Sequence, residues 1–416
     1  MQTRFREAMS KVKNPPAVFV IVGLIVFFSL HVFSADFHKA RESAIKPGRF
    51  HLGPLQIVPQ ITLENIGYTD NIYQYSNEAR AGWMADLGLR VKAAAAVGRR
   101  LVLIFETHPY YSYFSAVDTE RAFNHTNRAR LFTRVAGIHL MYSLEYDNRR
   151  WRPNREFAAR VRNQSTYHYL EADIGNHDAL FITAYAGILH LEFSEDGFME
   201  QYDPGLYLDR DEQVAGLKLN LPVFTATQLS LKAELREYRF DRTRSRDGKS
   251  LVTGLDIRFP EIGHLTGSAS LGYKRYFPEA PGYKEFNALS GTGHITYRFM
   301  RRWRLGLDYN LDAIFSFISP DNYFNESSFQ GSLDYYISRN LRLGGSYRNG
   351  RYDYRRLENG VLQFRDTHQY FEIRAAFRLA GTTGVGLTFR RGEWDSRRTD
   401  LKRDYYFIGG FVTHDF

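Results

Sequence analysis

The sequence predicts an all-β chain folded as a single antiparallel transmembrane β-barrel in the outer membrane of a Gram-negative bacterium. Three observations predict it. Apolar and polar residues alternate with a period of two over long runs, short and long connectors take turns, and the chain ends on an aromatic in phase with its last run.

The alternation is clearest from Trp303 to Phe317. Trp303, Leu305, Leu307, Tyr309, Leu311, Ala313, Phe315 and Phe317 hold the odd positions, against Arg304, Gly306, Asp308, Asn310 and Asp312 on the even ones. The same pattern sets Trp83, Leu87, Leu89 and Val91 against Asp86, Arg90 and Lys92. It also sets Leu229, Leu231 and Leu235 against Lys232, Glu234 and Arg236, and Phe371, Ile373 and Phe377 against Glu372, Arg374 and Arg378. A helix would need apolar residues every three or four positions, so these runs are strands. Several reach the roughly nine to eleven residues that a tilted strand needs to cross a bilayer, against about five or six in a soluble sheet. A secreted β-sandwich or propeller would also alternate, but it would rarely place Trp, Tyr and Phe at both ends of such runs.

The connectors agree. Short ones at Gly98, Arg301 and Arg339 alternate with long polar ones such as "SEDGFMEQYDPGLYLDRDE" after Phe193, the pattern of periplasmic turns and extracellular loops. In lipid every backbone N–H and C=O must be paired within the protein, so the sheet has to close. From Gln56 to Phe416 we count about eighteen strands. Sixteen is the alternative, because Thr126 to Gly137 and Thr266 to Phe277 are weakly patterned.

Composition narrows the chemistry. The chain has 416 residues and no cysteine, which excludes disulfides, Cys-ligated metals and thiol catalysis. A mean hydropathy of -0.42 is compatible with a membrane barrel, since only alternate residues meet lipid. The net charge of +9 is carried mainly by arginines that recur singly along the strands, which points to a lumen or rim rather than to nucleic acid. Near the N-terminus Arg4, Arg6, Lys11 and Lys13 precede an apolar run from Ala17 to Phe33. We read residues 1–34 as a signal peptide cleaved near Ser34, residues 35–55 as a periplasmic lead-in and residues 56–416 as the barrel. An uncleaved anchor is the rival reading of the same run.

The stretch "ENIGYTDNIY", Glu64 to Tyr73, could be a ligand cluster, but its position after an alternating run makes it the exit of the first strand. With its lead-in, "GRFHLGPLQIVPQITLENIGYTDNIY" from Gly48 resembles the start of a family of outer-membrane β-barrel porins found near exopolysaccharide gene clusters. The resemblance is carried by Gly53, Pro54 and Pro59, then by the Tyr-x-Asp-Asn step at Tyr68, Asp70 and Asn71. It implies a channel that exports a secreted polysaccharide, working with a separate periplasmic polysaccharide-export protein. The ending "YYFIGGFVTHDF" resembles the C-terminal signal read by the barrel-assembly machinery, with Phe416 as the terminal aromatic and His414 where Tyr or Phe is more usual.

The expected substrate path is the lumen-facing set Arg90, Lys92, Lys232, Glu234, Arg236, Arg304, Asp308, Asp312, Arg342, Arg348, Arg374, Arg378 and Arg390. One reading is a basic path for an anionic polymer. The other is that cations and carboxylates of neighbouring strands pair and fill the interior. A general or substrate-preferring diffusion porin is the alternative function. A barrel enzyme is third, because His264 with Ser268 or Ser270, and His294 with Ser290, supply only parts of a catalytic set. Aromatics such as those of "HPYYSYF" from His108 fit an interfacial girdle among outer-membrane lipid and lipopolysaccharide. The acidic loop residues Asp203, Asp209, Asp211 and Glu212 could meet calcium, although they do not fit an EF-hand spacing. No metal, cofactor or nucleic acid is expected.

Overall fold

The computed structural model describes residues 40–42, 50–72, 79–152, 160–194, 204–224, 227–262, 264–281, 285–316, 322–356, 359, 361–379, 381–396 and 402–416. The expected signal peptide and most of the lead-in lie outside these residues. The strands are β1 (Phe50–Leu52), β2 (Leu55–Thr69), β3 (Gly82–Val97), β4 (Leu101–Phe114), β5 (Ala122–Val135), β6 (Ile138–Trp151) and β7 (Val161–Asn176). They continue with β8 (Leu180–Ser194), β9 (Arg210–Phe224), β10 (Thr227–Phe240), β11 (Gly248–Ile262), β12 (Leu265–Pro278) and β13 (Phe286–Phe299). The last six are β14 (Trp303–Phe315), β15 (Asn322–Tyr336), β16 (Leu341–Arg356), β17 (Leu362–Leu379), β18 (Thr383–Asp395) and β19 (Arg403–Asp415).

From β2 onward each strand pairs antiparallel with the next, and β19 pairs back onto β2, so eighteen strands close one barrel. Both weakly patterned segments are full strands, β5 and β12, which removes the sixteen-strand alternative. Gly98, the Ala136–Gly137 pair and Met300–Arg301 turn tightly between strands with positive φ. In the Ala136–Gly137 connection both residues are left-handed (φ 50 and 85), as a two-residue hairpin matched to the strand twist requires.

The seam between β2 and β19 explains "ENIGYTDNIY". β2 ends at Thr69, as the strand-exit reading expects, but the next residues staple the seam. Thr69 Oγ1 donates to the Tyr406 carbonyl (2.8 Å), Asp70 Oδ1 accepts from the Tyr406 N–H (2.8 Å), and Asn71 Nδ2 donates to the Asp404 carbonyl (3.2 Å). Partial burial raises the Asp70 carboxyl above the usual range, against the Tyr406 hydrogen bond that lowers it. Lower down, the register slips at Asn65, whose φ of 52 is a conformation asparagine tolerates better than most residues. This bulge turns the Asn65 side chain inward, where it donates to Asp86 Oδ2 (2.6 Å) and accepts from Arg390 Nη1 (2.7 Å). At the periplasmic end β19 stops beside Gln60, and the Phe416 N–H donates to the Pro59 carbonyl (3.2 Å). Beyond it β1 pairs with β2 at Phe50–Ile57, so the remaining edge of β2 is covered.

The two faces segregate as the alternation requires. Leu87, Leu231, Leu271 and Leu387 are exposed on the outside, and a lipid-facing leucine is satisfied by hydrocarbon. Aromatic belts flank this band. Tyr68, Trp83, Tyr111, Tyr113 and Phe123 are exposed near the extracellular ends, while Tyr297, Phe299, Trp303 and Tyr335 follow one another in contact near the periplasmic turns. "HPYYSYF" divides between the two faces, with Tyr111 and Tyr113 in the girdle and Phe114 buried inside.

Two segments depart from the simple pattern. β13 pairs with β14 only from Phe299–Trp303 to Gly291–Leu311, whereas β14 and β15 stay paired up to Phe315–Tyr323. Above Leu311 β14 separates from β13 while β15 stays paired with β16 up to Asn322–Arg356, and the upper part of the hairpin packs into the barrel. Ala313 and Phe315, expected on the greasy face, pack instead with Tyr323 on the inward side of Tyr238, Phe240, Tyr276 and Phe286. Phe317, also assigned to that face, lies outside the described residues. At the periplasmic end the inward positions Ala94, Val102, Ile104 and Phe132 are apolar, and the helical residues 40–42 place Ala40 against them.

Closure requires the β2 and β19 backbones to approach closely at Gly67, where an added Cβ would collide with the Ile408 carbonyl and Gly409. We expect Gly67→Leu to fail to reach the compact, heat-modifiable form on an unboiled detergent gel. Gly331→Ala, whose nearest neighbours lie 3.8 Å or more away, should fold as the parent does. A Gly67→Leu protein with the parental shift would show that the seam does not depend on this contact.

Candidate functional site: the lumen and its extracellular chamber

The strands carry the expected path residues into a polar interior, where most find partners on adjacent strands. Arg90 contacts Gln60 Oε1 (3.0 Å) and Glu64 (3.8 Å), and Lys92 faces Glu106 (3.9 Å). Glu234 accepts from Lys232 (3.0 Å), Arg236 (3.3 Å) and the Tyr185 hydroxyl (2.8 Å), and Arg236 also reaches the buried Glu212 (2.9 Å). Asp312 holds Lys274 (3.0 Å), Asp308 holds His294 (2.6 Å), Arg342 faces Asp334 (3.8 Å), Arg348 faces Glu326 (3.6 Å) and Arg390 bonds Glu372 (2.8 Å). Among the described residues Arg304, Arg374 and Arg378 have no carboxylate within ion-pair distance, and Arg374 lies over the Phe411 ring at 4.0 Å. Single partly exposed pairs of this kind contribute about 0–1 kcal/mol each, so their main effect is to order the wall and set its potential.

The structure adds an aspartate to the parts of a catalytic set that the sequence offered. Ser268, His294 and Asp308 face one another across β12, β13 and β14, and His294 Nδ1 bonds Asp308. His294 Nε2, however, meets Thr296 Oγ1 at 3.3 Å rather than a serine, and Ser290 lies four residues along the same strand. Around it, among the described residues, the backbone N–H groups of β12–β14 belong to the sheet ladder. The acidic residues considered for calcium diverge. Asp211 binds His190 (2.6 Å), Asp209 caps the Phe193 N–H (2.7 Å), Glu212 points inward to Arg210 and Arg236, and Asp203 lies outside the described residues. Among the described residues no cluster could hold a metal ion.

At the extracellular end the bent β14–β15 hairpin divides the mouth. On one side a groove of about 390 Å³ runs along β9–β14 beside Glu234, Lys274 and Asp312. On the other, an open chamber of about 670 Å³ lies between β6–β9 and β14–β19, with Arg149, Arg152, Arg210, Trp394 and Arg403 in its walls. One residue pins this arrangement. Arg246, 1% exposed, donates to the Tyr207 carbonyl (3.0 Å) and the Ser316 carbonyl (2.5 Å), packs near the Tyr207, Phe240 and Phe315 rings, and accepts the Tyr276 hydroxyl on its own carbonyl (2.7 Å). Nothing in the sequence pointed to this role, since an arginine in a polar loop usually faces solvent. The signal that could have found it is the aromatic surplus around it.

A closed, two-faced barrel with a charged interior and a narrowed mouth defines an outer-membrane channel. Within that class, the family described as "Putative beta-barrel porin 2" matches residues 46–409, and the chain belongs to it. Solved structures are similar to the chain at low identity. OccK5 (OpdH) of Pseudomonas aeruginosa is 13% identical over 87% of this chain and 98% of its own, with a TM-score of 0.48. OpdQ of the same organism is 12% identical over 87% and 97%, with a TM-score of 0.46. An apoprotein form of the FrpB iron transporter of Neisseria meningitidis is 10% identical over 85% of this chain, with a TM-score of 0.47, and the match spans 63% of that protein's length. No curated protein matches the sequence.

Removing the Arg246 guanidinium strands the Tyr207 and Ser316 carbonyls in a buried site. Arg246→Met should therefore lower stability by about 2–3 kcal/mol in guanidinium unfolding and increase protease cleavage of the extracellular loops. Unchanged stability and protection would show that the mouth is held elsewhere.

Proposed function

We propose that this chain is a substrate-preferring diffusion porin that passes small hydrophilic solutes, anions ahead of cations. The observation that carries the reading is the lumen itself: charged inward faces, arginines beyond the paired set at Arg304, Arg374 and Arg378, and a mouth reduced to chambers of a few hundred Å³. Free cations along a pore of low dielectric walls raise the local concentration of anions without binding them tightly. Membership of a porin family supports the same reading. The hairpin at the extracellular mouth and Ala40 at the periplasmic end both narrow the path, which suits small solutes better than a continuous polymer.

Export of a secreted polysaccharide is the second reading. A column of inward tyrosines, Tyr167, Tyr169 and Tyr185, with ring centroids 5.8 and 5.9 Å apart, favours it because sugar rings slide over such surfaces. On this reading a periplasmic export protein docks below the barrel. Under either, the leader is removed near Ser34, the assembly machinery recognises Phe416, and lipopolysaccharide surrounds the outer girdle. The reading includes no catalytic step and no cofactor.

Purified protein in planar bilayers should give discrete conductance steps and a reversal potential shifted toward chloride in a potassium chloride gradient. Replacing Arg304, Arg374 and Arg378 together by glutamate should reverse that preference. A silent bilayer, or a preference indifferent to the three charges, contradicts the porin reading. Loss of surface polysaccharide on deleting the gene, with synthesis intact, would favour export instead.

A further inference from the structure

We propose that the lead-in of this chain is a tethered plug: residues 40–42 sit in the periplasmic neck of the barrel, and their departure from that seat widens the channel. The inference rests on the channel reading above and adds the element that regulates it.

The seat is an apolar patch where a water-filled lumen calls for polar side chains. Two adjacent rows of the wall make it. One runs Ala96–Val102–Phe132–Met141 across β3 to β6, and the next, deeper in the barrel, begins Ala94–Ile104. Val102 is fully buried, and Ala94, Ile104 and Phe132 are each no more than 7% exposed. Side chains on the inner face of a pore are covered only where something lies over them, and Ala40 packs in this cluster. The sequence accounts for the shape of the patch. The run Ala93–Ala96 puts two methyl groups, Ala94 and Ala96, on the inner face of β3, a recess beside the longer side chains of β4 and β5. The far wall has no such seat, because at the same end of β13–β17 the inward positions hold Arg298, Arg304, Arg342 and Arg378.

β1 keeps the plug within reach of the seat. It runs antiparallel to β2, so the chain descends through it to the turn at Gly53 before β2 climbs. His51 pairs with Gln56 and Gln56 with Ala94, which sets β1 level with the seat and two strand spacings, about 10 Å, along the wall. The eight peptide steps from Glu42 to Phe50 span at most about 28 Å. A segment tied this closely returns to its seat at an effective concentration on the order of millimolar.

The seat is also easily vacated. Ala40 brings one methyl group to it, and the adjoining Arg41 Nε is buried with no hydrogen-bond partner among the described residues, a donor that water would satisfy. Apolar contact therefore favours the seated arrangement and guanidinium hydration the open one, so the two exchange.

The absence of cysteine makes the test direct. Ala40→Cys is combined with Ile104→Cys, with Ala94→Cys and, as a control on the far wall, with Thr292→Cys, each in the full chain and each checked for the heat-modifiable folded band. Oxidation should join position 40 to 104 or 94 and not to 292, read as disulfide-linked peptides by mass spectrometry. In planar bilayers the parent should step between two conductance levels. Oxidation of a linked pair should abolish the upper level, dithiothreitol should restore it, and Ala40→Glu, whose carboxylate cannot rest on the patch, should lose the lower one. If the paired variants do not fold, Ala40→Glu carries the test, since position 40 lies outside the strands. No link at 104 or 94, equal linking at 292, or conductance indifferent to the link or to Ala40→Glu overturns the plug. A conducting barrel that forms no link overturns the plug alone, and a linked, folded protein that never conducts overturns the channel reading alone.

Discussion

Everything in this protein follows from one constraint: inside hydrocarbon, no backbone N–H or C=O can be left without a partner. A strand has unpaired groups on both sides until a neighbour arrives, and the last neighbour of a linear series of strands is the first. The seam of β2 with β19 is therefore where the fold is completed, and the chain spends specific chemistry on it. Thr69, Asp70 and Asn71 bind the backbone of Tyr406 and Asp404 at the top. Gly67 and Gly409 let the two backbones approach in the middle, and β1 covers what β19 leaves open at the bottom. The bulge at Asn65 lets the register change without opening the ladder, and hands the displaced side chain to Asp86 and Arg390.

Closure then dictates the two faces. Outside, leucines and aromatic belts match lipid and its interfaces. Inside, alternate positions must live with water, and the chain fills them with opposite charges on adjacent strands. This pairing keeps the wall ordered, and where it is incomplete the lumen carries its excess of arginine. The mouth obeys a different rule. There β14 has separated from β13, and Ala313 and Phe315 turn inward onto Tyr276 and Phe286 instead of facing lipid. The buried Arg246 joins that hairpin to the helix Pro204–Leu208 through two carbonyls.

Most of the barrel was legible in the sequence because a period of two is a direct consequence of strand geometry. Leu229 through Arg236 declares its faces without help from any partner strand. β5 and β12 were ambiguous because residues such as Thr126, Asn127, Ser268 and Ser270 blur the contrast, and only cross-strand pairing fixes them. The partners of the charged residues on these strands were not visible in the sequence. Partnership depends on register, and a shift by one residue changes every pair. Ala313 and Phe315 misled for a related reason, since alternation reports which side of a strand a residue occupies and not whether that strand still faces lipid. The chamber was the least legible part. It gathers Arg149, Trp394 and Arg403 from strands far apart in the chain, and only closure brings them together.

The central claim is a closed barrel with one face in lipid and the other in water. The absence of cysteine allows this to be read residue by residue, with single cysteines placed from Leu229 to Arg236 along β10 in the reconstituted protein. A water-soluble maleimide should label positions 230, 232, 234 and 236, while a probe attached at 229, 231, 233 and 235 should be quenched by lipid-borne quenchers. Uniform labelling, or quenching without a two-residue period, would contradict the account.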